Sequence, residues 1–441
     1  MSLTRLSPHM PRTYSFKALA AEEGHTRRWK QGLGFFFGFC IQFDMLIGGG
    51  GEGASATGGY GYRLIDFAAL GAVCFLAFYS LSPRRLLSVI LYGVAVGALF
   101  LPGALSIDPR TAILAYHYIL YCLAALYLVV VLDDVLVLEW FCWGLIVGLL
   151  ATIPVFLAQD SGYSAKLVEW GLSPGYAPFI GGTVRAVPRY AGLGSHPNET
   201  GHVAALTAAA GAYFVVARRR FLPSILVAAG LMVVFYYTWC RGGFIAGGII
   251  LAIPILMTRG RINIFRLAIM VAVLLLAFAI LAQIDFVASR FSDDPNAAHN
   301  IADRIDSTLA GLSVLLTNPM GMPFNDFISL VASGSGGVES PHNGFIFFGG
   351  IFGLLPLMAM LAAFAVNFRV RDDVDIFFAL LTLVICISFM FEQLPASYSY
   401  AFAICLVGAR AFLKTGLGKL LKGGPAPLVL RRATYKRHDF G

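Results

Sequence analysis

A chain of 441 residues that is 58% hydrophobic and only 13% charged does not read as a soluble protein, whose domains carry about 25% charged residues. A mean hydropathy of +0.76 over this length calls for many apolar spans rather than one large core. The net charge of +8 does not point to nucleic acid, because the basic residues sort by side of a membrane.

In chain order, residues 1–31 read as a polar, basic cytoplasmic segment. Residues 32–415 read as a transmembrane domain, and residues 416–441 as a basic cytoplasmic tail. Twelve spans are expected, at 32–48, 64–82, 86–106, 111–132, 135–158, 199–217, 221–238, 242–258, 264–284, 343–366, 374–391 and 397–415. The first is the weakest, because Asp44 interrupts it. Gln31 to Ala56 has the outline of a signal peptide ending in Ala54-Ser55-Ala56, but it reads here as an uncleaved first span. With both termini inside, 24 of the 32 Lys and Arg residues fall on the inner side and 8 on the outer.

Two outer connections are long, 159–198 and 285–342. The first carries Trp170, Tyr176 and Phe179. The second contains Ile301, Ile305, Leu309, Leu312 and Leu316 at helical spacing, with Asn300 placed to cap. It predicts an amphipathic helix lying along the membrane–water interface. The seven cysteines lie in or beside apolar spans, form no CxxC pair and read as small core residues; no zinc-type spacing is present.

The outer face gathers polar residues against the charge rule. Arg185 and Arg189 precede the sixth span in TVRAVPRYAGLGSHPNETGH. Arg241 opens the eighth in TWCRGGFIAGG, and His342 opens the tenth in ESPHNGFIFFGG. Each arginine alone has a bland reading as an interfacial anchor. Together they suit a lipid-linked diphosphate, since a planar guanidinium binds phosphate bidentately. Pro197 predicts a helix start near Asn198, with Glu199 in its first turn and His202 one turn on. Glu199 reads either as a helix-start carboxylate or as a group on the rim of an outer cavity. Asp44, Asp66, His117, Glu139 and Glu392 are scattered through or beside the spans and read as structural.

Four of these segments, in this order, resemble the bacterial O-antigen ligase and polysaccharide polymerase superfamily. They are RYAGLGSHPNETG, TWCRGGFIA (with Cys240 where the family has serine), RIDSTLAGLSVLLTNPMGMP (with Gly321 to Pro323 where the family has Gly-x-Gly) and PHNGFIFFGGIFGLL. The likeness runs from about Arg185 to Gly353. It implies an all-α, polytopic fold of the C class of glycosyltransferases, with about twelve transmembrane helices and a periplasmic loop bearing an amphipathic helix. It also implies an inverting, metal-independent transferase without cofactor in the bacterial inner membrane, serving lipopolysaccharide or exopolysaccharide biosynthesis. Such an enzyme moves a glycan from an undecaprenyl diphosphate donor to a glycan or lipid A-core acceptor on the periplasmic side. Membrane lipid and other polysaccharide-assembly proteins are its expected partners.

On that reading Arg189, Arg241 and His342 are the catalytic set. Arg185, Arg304, Glu199, His202, Asn198 and Asn343 bind substrate. An imidazole suits the removal of a proton from the acceptor hydroxyl at neutral pH. Glu199 and Glu339 are the carboxylates next in line for that role. A secondary transporter or lipid-linked glycan flippase has the same span count. It would gather its polar groups at the midplane, whereas this chain gathers them at the outer rim.

Overall fold

The computed structural model describes residues 16–43, 46–47, 62–163, 166–167, 179–180, 188–194, 196–258, 261–262, 295–337 and 341–422. The first helix, α1 (Phe16–Ile41), ends before Asp44, which lies outside the described residues. It packs along α5 (Val135–Asp160) through a seam of glycines from both helices. A methyl group on Gly38 would lie 2.1 Å from the Phe141 carbonyl oxygen, and one on Gly144 would lie 2.1 Å from the Phe35 carbonyl oxygen. Gly34 and Gly148 extend the seam, giving a four-residue glycine spacing on each helix. Small residues let membrane helices approach to backbone contact. Beyond the seam, the Gln42 side chain donates to Val203 O at 3.3 Å and to Thr207 Oγ1 at 3.0 Å. Helix α1 starts at Phe16, well inside the segment expected to be a polar arm.

The next helices are α2 (Leu64–Tyr79), α3 (Pro83–Ala104) and α4 (Pro109–Leu132), the last two begun by a proline whose fixed φ suits a first helical position. Then come α6 (Pro197–Arg218), α7 (Leu222–Thr238) and α8 (Arg241–Leu256). Among the described residues, α3, α4, α5 and α6 are long and apolar enough to cross a membrane, and α2, α7 and α8 are shorter apolar helices. The chain is a helical membrane protein. Short two-residue antiparallel pairs also occur, as at Phe179–Ile180 with Pro188–Arg189. The expected span at 264–284 lies outside the described residues.

Helix α6 is the axis of the bundle: 89% of its apolar window is buried, against 22% for α3. It packs on α7, α8 and α13 (Asp373–Phe389), while α14 (Tyr398–Leu413) packs on α4.

The amphipathic segment forms α9 (Pro295–Thr317), followed by α10 (Phe324–Gly334). Asn300 therefore lies inside α9 and does not cap it; Pro295 opens the helix instead. The expected stripe is outward-facing: Ile305, Leu309, Leu312 and Leu316 are exposed, while Ser307 and Leu315 are buried.

The stretch expected as one span at 343–366 is two helices, α11 (Gly344–Phe352) and α12 (Leu354–Asn367), broken at Gly353. Gly353 has φ +95° and Gly321 has φ +80°, conformations that favour glycine. The Asn318–Met322 turn docks into the break, with Met322 N donating to Gly350 O at 3.0 Å and Leu354 N to Pro319 O at 2.8 Å. The Gly321-Met322-Pro323 segment thus has a definite job.

The tail begins with α15 (Gly416–Lys422), which folds back on the bundle: Tyr79 Oη donates to Leu421 O at 3.2 Å and Ser88 Oγ to Leu417 O at 2.9 Å. Most described cysteines are buried, but Cys74 is exposed.

At this end of the bundle Arg410 is buried among Asp133, Asp372 and Asp375, its Nη2 lying 2.6 Å from Asp375 Oδ1 and its Nη1 2.7 Å from Asp133 Oδ1. Arg218 bridges Glu139 at 2.6 Å and Asp373 at 3.5 Å. The Asp373-Val374-Asp375 triplet is therefore engaged in ion pairs, and Glu139 is not isolated. Asp66 is paired too, accepting from Tyr121 Oη and lying 3.4 Å from His117 Nε2.

Candidate functional site

The site forms at the end of the bundle where α6 begins, and the turn before α6 builds its first wall. Gly192, with φ +59°, donates its N–H to Gln159 Oε1 at 3.0 Å and accepts from Gln159 Nε2 at 3.3 Å. Tyr190 N donates to Tyr237 O at 3.0 Å. These bonds hold Arg189 between α6 and the end of α7. Its Nε donates to Thr238 O at 2.7 Å and its Nη2 donates to Asn198 Oδ1.

Helix α6 starts at Pro197, one residue before the expected Asn198, because His196 is its cap: its Nδ1 accepts from Asn198 N at 3.1 Å. Burial pushes the His196 pKa down, with Arg189 adding to the effect and Glu392 opposing it, in keeping with a neutral, accepting imidazole.

Asn198, thus placed in the first turn, turns its Nδ2 to Glu392 Oε2 at 2.9 Å. Glu392 sits in the α13–α14 connection, only 8% exposed. Its Oε1 lies 3.4 Å from His342 Nδ1. Burial opposes the Glu392 charge, but His342, followed by His202 and Arg304, holds its carboxyl down to about 2. Arg304 reaches over from α9, its Nη1 donating to Phe391 O at 3.2 Å.

His342 is carried in by close packing at Gly344, where a methyl group would lie 2.5 Å from the Phe389 ring. Its side chain keeps 28% of its surface accessible. Asn343 is engaged in capping α11, accepting from Phe345 N at 3.0 Å and Ile346 N at 3.2 Å.

The glycines after Arg241 work through contact. A methyl group on Gly243 would lie 2.4 Å from Gly201 O, and one on Gly242 would lie 2.9 Å from His202 Nε2 and 2.8 Å from Phe391 Cβ. The close approach of α8 to α6 places Arg241, whose side chain is exposed, at the rim beside this cluster. Cys240 contacts Asn198 O through Sγ at 3.4 Å and accepts from Gly243 N at 3.4 Å. His202 is fully buried, and its Nδ1 has no hydrogen-bond partner among the described residues. Glu199 stands half-buried in the first turn of α6.

The structure therefore brings Arg189, Asn198, His202, Arg304 and His342 around Glu392. Arg241 stands beside them, and Asn343 serves a local cap. Arg185 and Glu339 lie outside the described residues. Glu392 is the residue that the sequence reading set aside as structural. Its one available signal was a carboxylate in a short connection between two apolar spans.

Chemically, a carboxylate facing Nδ1 favours the imidazole tautomer that leaves Nε2 as a base, and it steadies the cation once a proton is taken. No protein-family model matches the chain, and no curated protein matches it.

Proposed function

We propose that this protein is an inner-membrane glycosyltransferase. It would move a glycan from an undecaprenyl diphosphate donor to an acceptor hydroxyl on the periplasmic side, as an O-antigen ligase or polysaccharide polymerase does. The observation that carries this reading is the Glu392–His342 pair set among Arg189, Arg241 and Arg304 at one end of the bundle. The orientation, with both termini cytoplasmic, rests on the distribution of lysine and arginine.

His342 Nε2 accepts the acceptor hydroxyl proton. The oxygen attacks the anomeric carbon from the face opposite the diphosphate, so the configuration inverts. The carbon–oxygen bond to the diphosphate breaks and its electron pair stays on the leaving group. Arg241, at the rim, and Arg304 meet that growing charge, which is worth most where water is scarce. Arg189 supplies positive charge from behind, since two of its nitrogens are bound to Thr238 and Asn198. Glu392 steadies the imidazolium until the proton leaves to water or the diphosphate.

The test is transfer by the purified protein, given a lipid-linked oligosaccharide and an acceptor glycan. Formation of the glycosidic product supports the reading. Movement of the lipid-linked donor across a vesicle without product would assign a flippase instead. Glycan analysis of a deletion strain separates the two transferase forms. Single repeats still attached to their acceptor mean a polymerase is missing, and finished polymer stranded on the carrier means a ligase is missing.

A further inference from the structure

At the opposite end of α6, helices α1 and α5 and the α6–α7 turn border a cavity of about 350 Å³. Phe35, Trp140, Trp143 and Val147 form its apolar wall, and Glu139 and Arg220 form its polar mouth. It lies on the flank of the glycine seam, where the backbones of α1 and α5 touch and bulky side chains splay to either side. Trp140 is 46% exposed and meets the Phe35 ring edge-on at 6.3 Å.

The mouth is shaped by an unusual backbone. Arg219 closes α6 with φ +56°, in the left-handed region that residues other than glycine visit rarely. That reversal turns Arg218 and Arg220, on either side of it, toward one carboxylate. Arg218 Nε lies 2.6 Å from Glu139 Oε1 and Arg220 Nη1 lies 3.3 Å from Glu139 Oε2. Arg218 also lies 3.5 Å from Asp373, so Arg218, Arg219 and Arg220 meet two carboxylates and one positive charge is left over. It falls on Arg220, whose side chain is 58% exposed and has donors beyond the one given to Glu139. Arg219 is exposed beside it.

We propose that this cavity binds one anionic phospholipid, with the phosphate on Arg220 and an acyl chain against Phe35, Trp140 and Val147. Charge complementarity selects the headgroup, and the aromatic wall suits the junction of headgroup and chain. The proposal is independent of the transferase reading, because no residue of the Glu392–His342 cluster takes part.

Native mass spectrometry of the full chain in neutral detergent tests it, with phosphatidylglycerol and phosphatidylcholine as probes. One phosphatidylglycerol should be retained under activation that strips phosphatidylcholine. Arg220→Ala should weaken that binding about fivefold, the worth of one cation near a lipid surface, while Arg220→Lys should retain most of it. Glu139→Gln should tighten it, because a negative charge leaves the side of the phosphate. Glycerol phosphate should not displace the lipid. Equal retention of the two lipids, or full binding by Arg220→Ala, would overturn the proposal. So would displacement by glycerol phosphate, which would reduce the site to an anion site. Thermal melting of each variant verifies that it is folded.

Discussion

The two ends of the bundle both hold buried charge, and they use it differently. Around Arg410 the network is closed: Asp133, Asp372 and Asp375 take its donors, Lys414 covers Asp375 at 3.0 Å, and Arg410 itself is 2% exposed. Around Glu392 it is left open. His342 is partly accessible, its Nδ1 stands at ion-pair distance without an aligned hydrogen bond, and His202 Nδ1 is unpartnered among the described residues. A closed network fixes helices in place. An open one keeps donors and acceptors available for something that arrives.

Substitutions separate the two. The largest effect is expected at the open end: His342→Gln keeps a polar group of similar size but cannot take the proton. Transfer should fall by about 10²- to 10⁴-fold, with melting temperature and donor binding close to those of the parent. Near-normal turnover by this variant would remove the base assignment.

Arg410→Ala should do the reverse. Removing one partner of a buried ion pair costs about 3–5 kcal/mol, and Lys414 beside Asp375 keeps the loss toward the lower value. Thermal unfolding in detergent should show a large loss of stability, with unchanged turnover per folded molecule. A variant that melts normally would mean that the network does not hold α13 and α14 together.

Glu392→Gln comes next. As the imidazolium forms, its Nδ1–H closes on the Glu392 carboxylate, and a hydrogen bond to a charged group is worth about 1.5–3 kcal/mol, or roughly ten- to a hundredfold in transfer rate. Its pH dependence has a definite sign. Folding lowers the Glu392 carboxyl from 4.5 to about 2, so its stabilising contribution is complete above the ordinary carboxylate range. It is lost as pH falls from 4.5 through about 2. The melting difference between parent and Glu392→Gln should be constant near neutrality and vanish in acid. A difference that grew on acidification would contradict the ion-pair geometry.

The smallest effect is expected at Asn343→Ala, which removes the α11 cap for about 1 kcal/mol. Stability should drop modestly, while transfer stays within a few-fold of the parent. A collapse of transfer without loss of stability would return Asn343 to the substrate.

The sequence by itself determined that this is a helical membrane protein. It also determined the positions of most helices, because long apolar runs and the spacing of Ile305, Leu309, Leu312 and Leu316 are local properties of the chain. It singled out Arg189, Asn198, Arg304 and His342, which the structure gathers in one place. Tertiary structure alone decided three further things. It paired Glu392 with Asn198, 194 positions away, and with His342. A lone carboxylate in a short connection carries no local sign of the partners that will face it. It broke the run after Asn343 at Gly353, because the Gly321 turn docks there; a glycine in an apolar run is a breaker only when another segment occupies the gap. And it seated α1, which ends at Ile41, against α5, because four glycines gain their meaning only when α5 lies against them, bringing two backbones within contact distance.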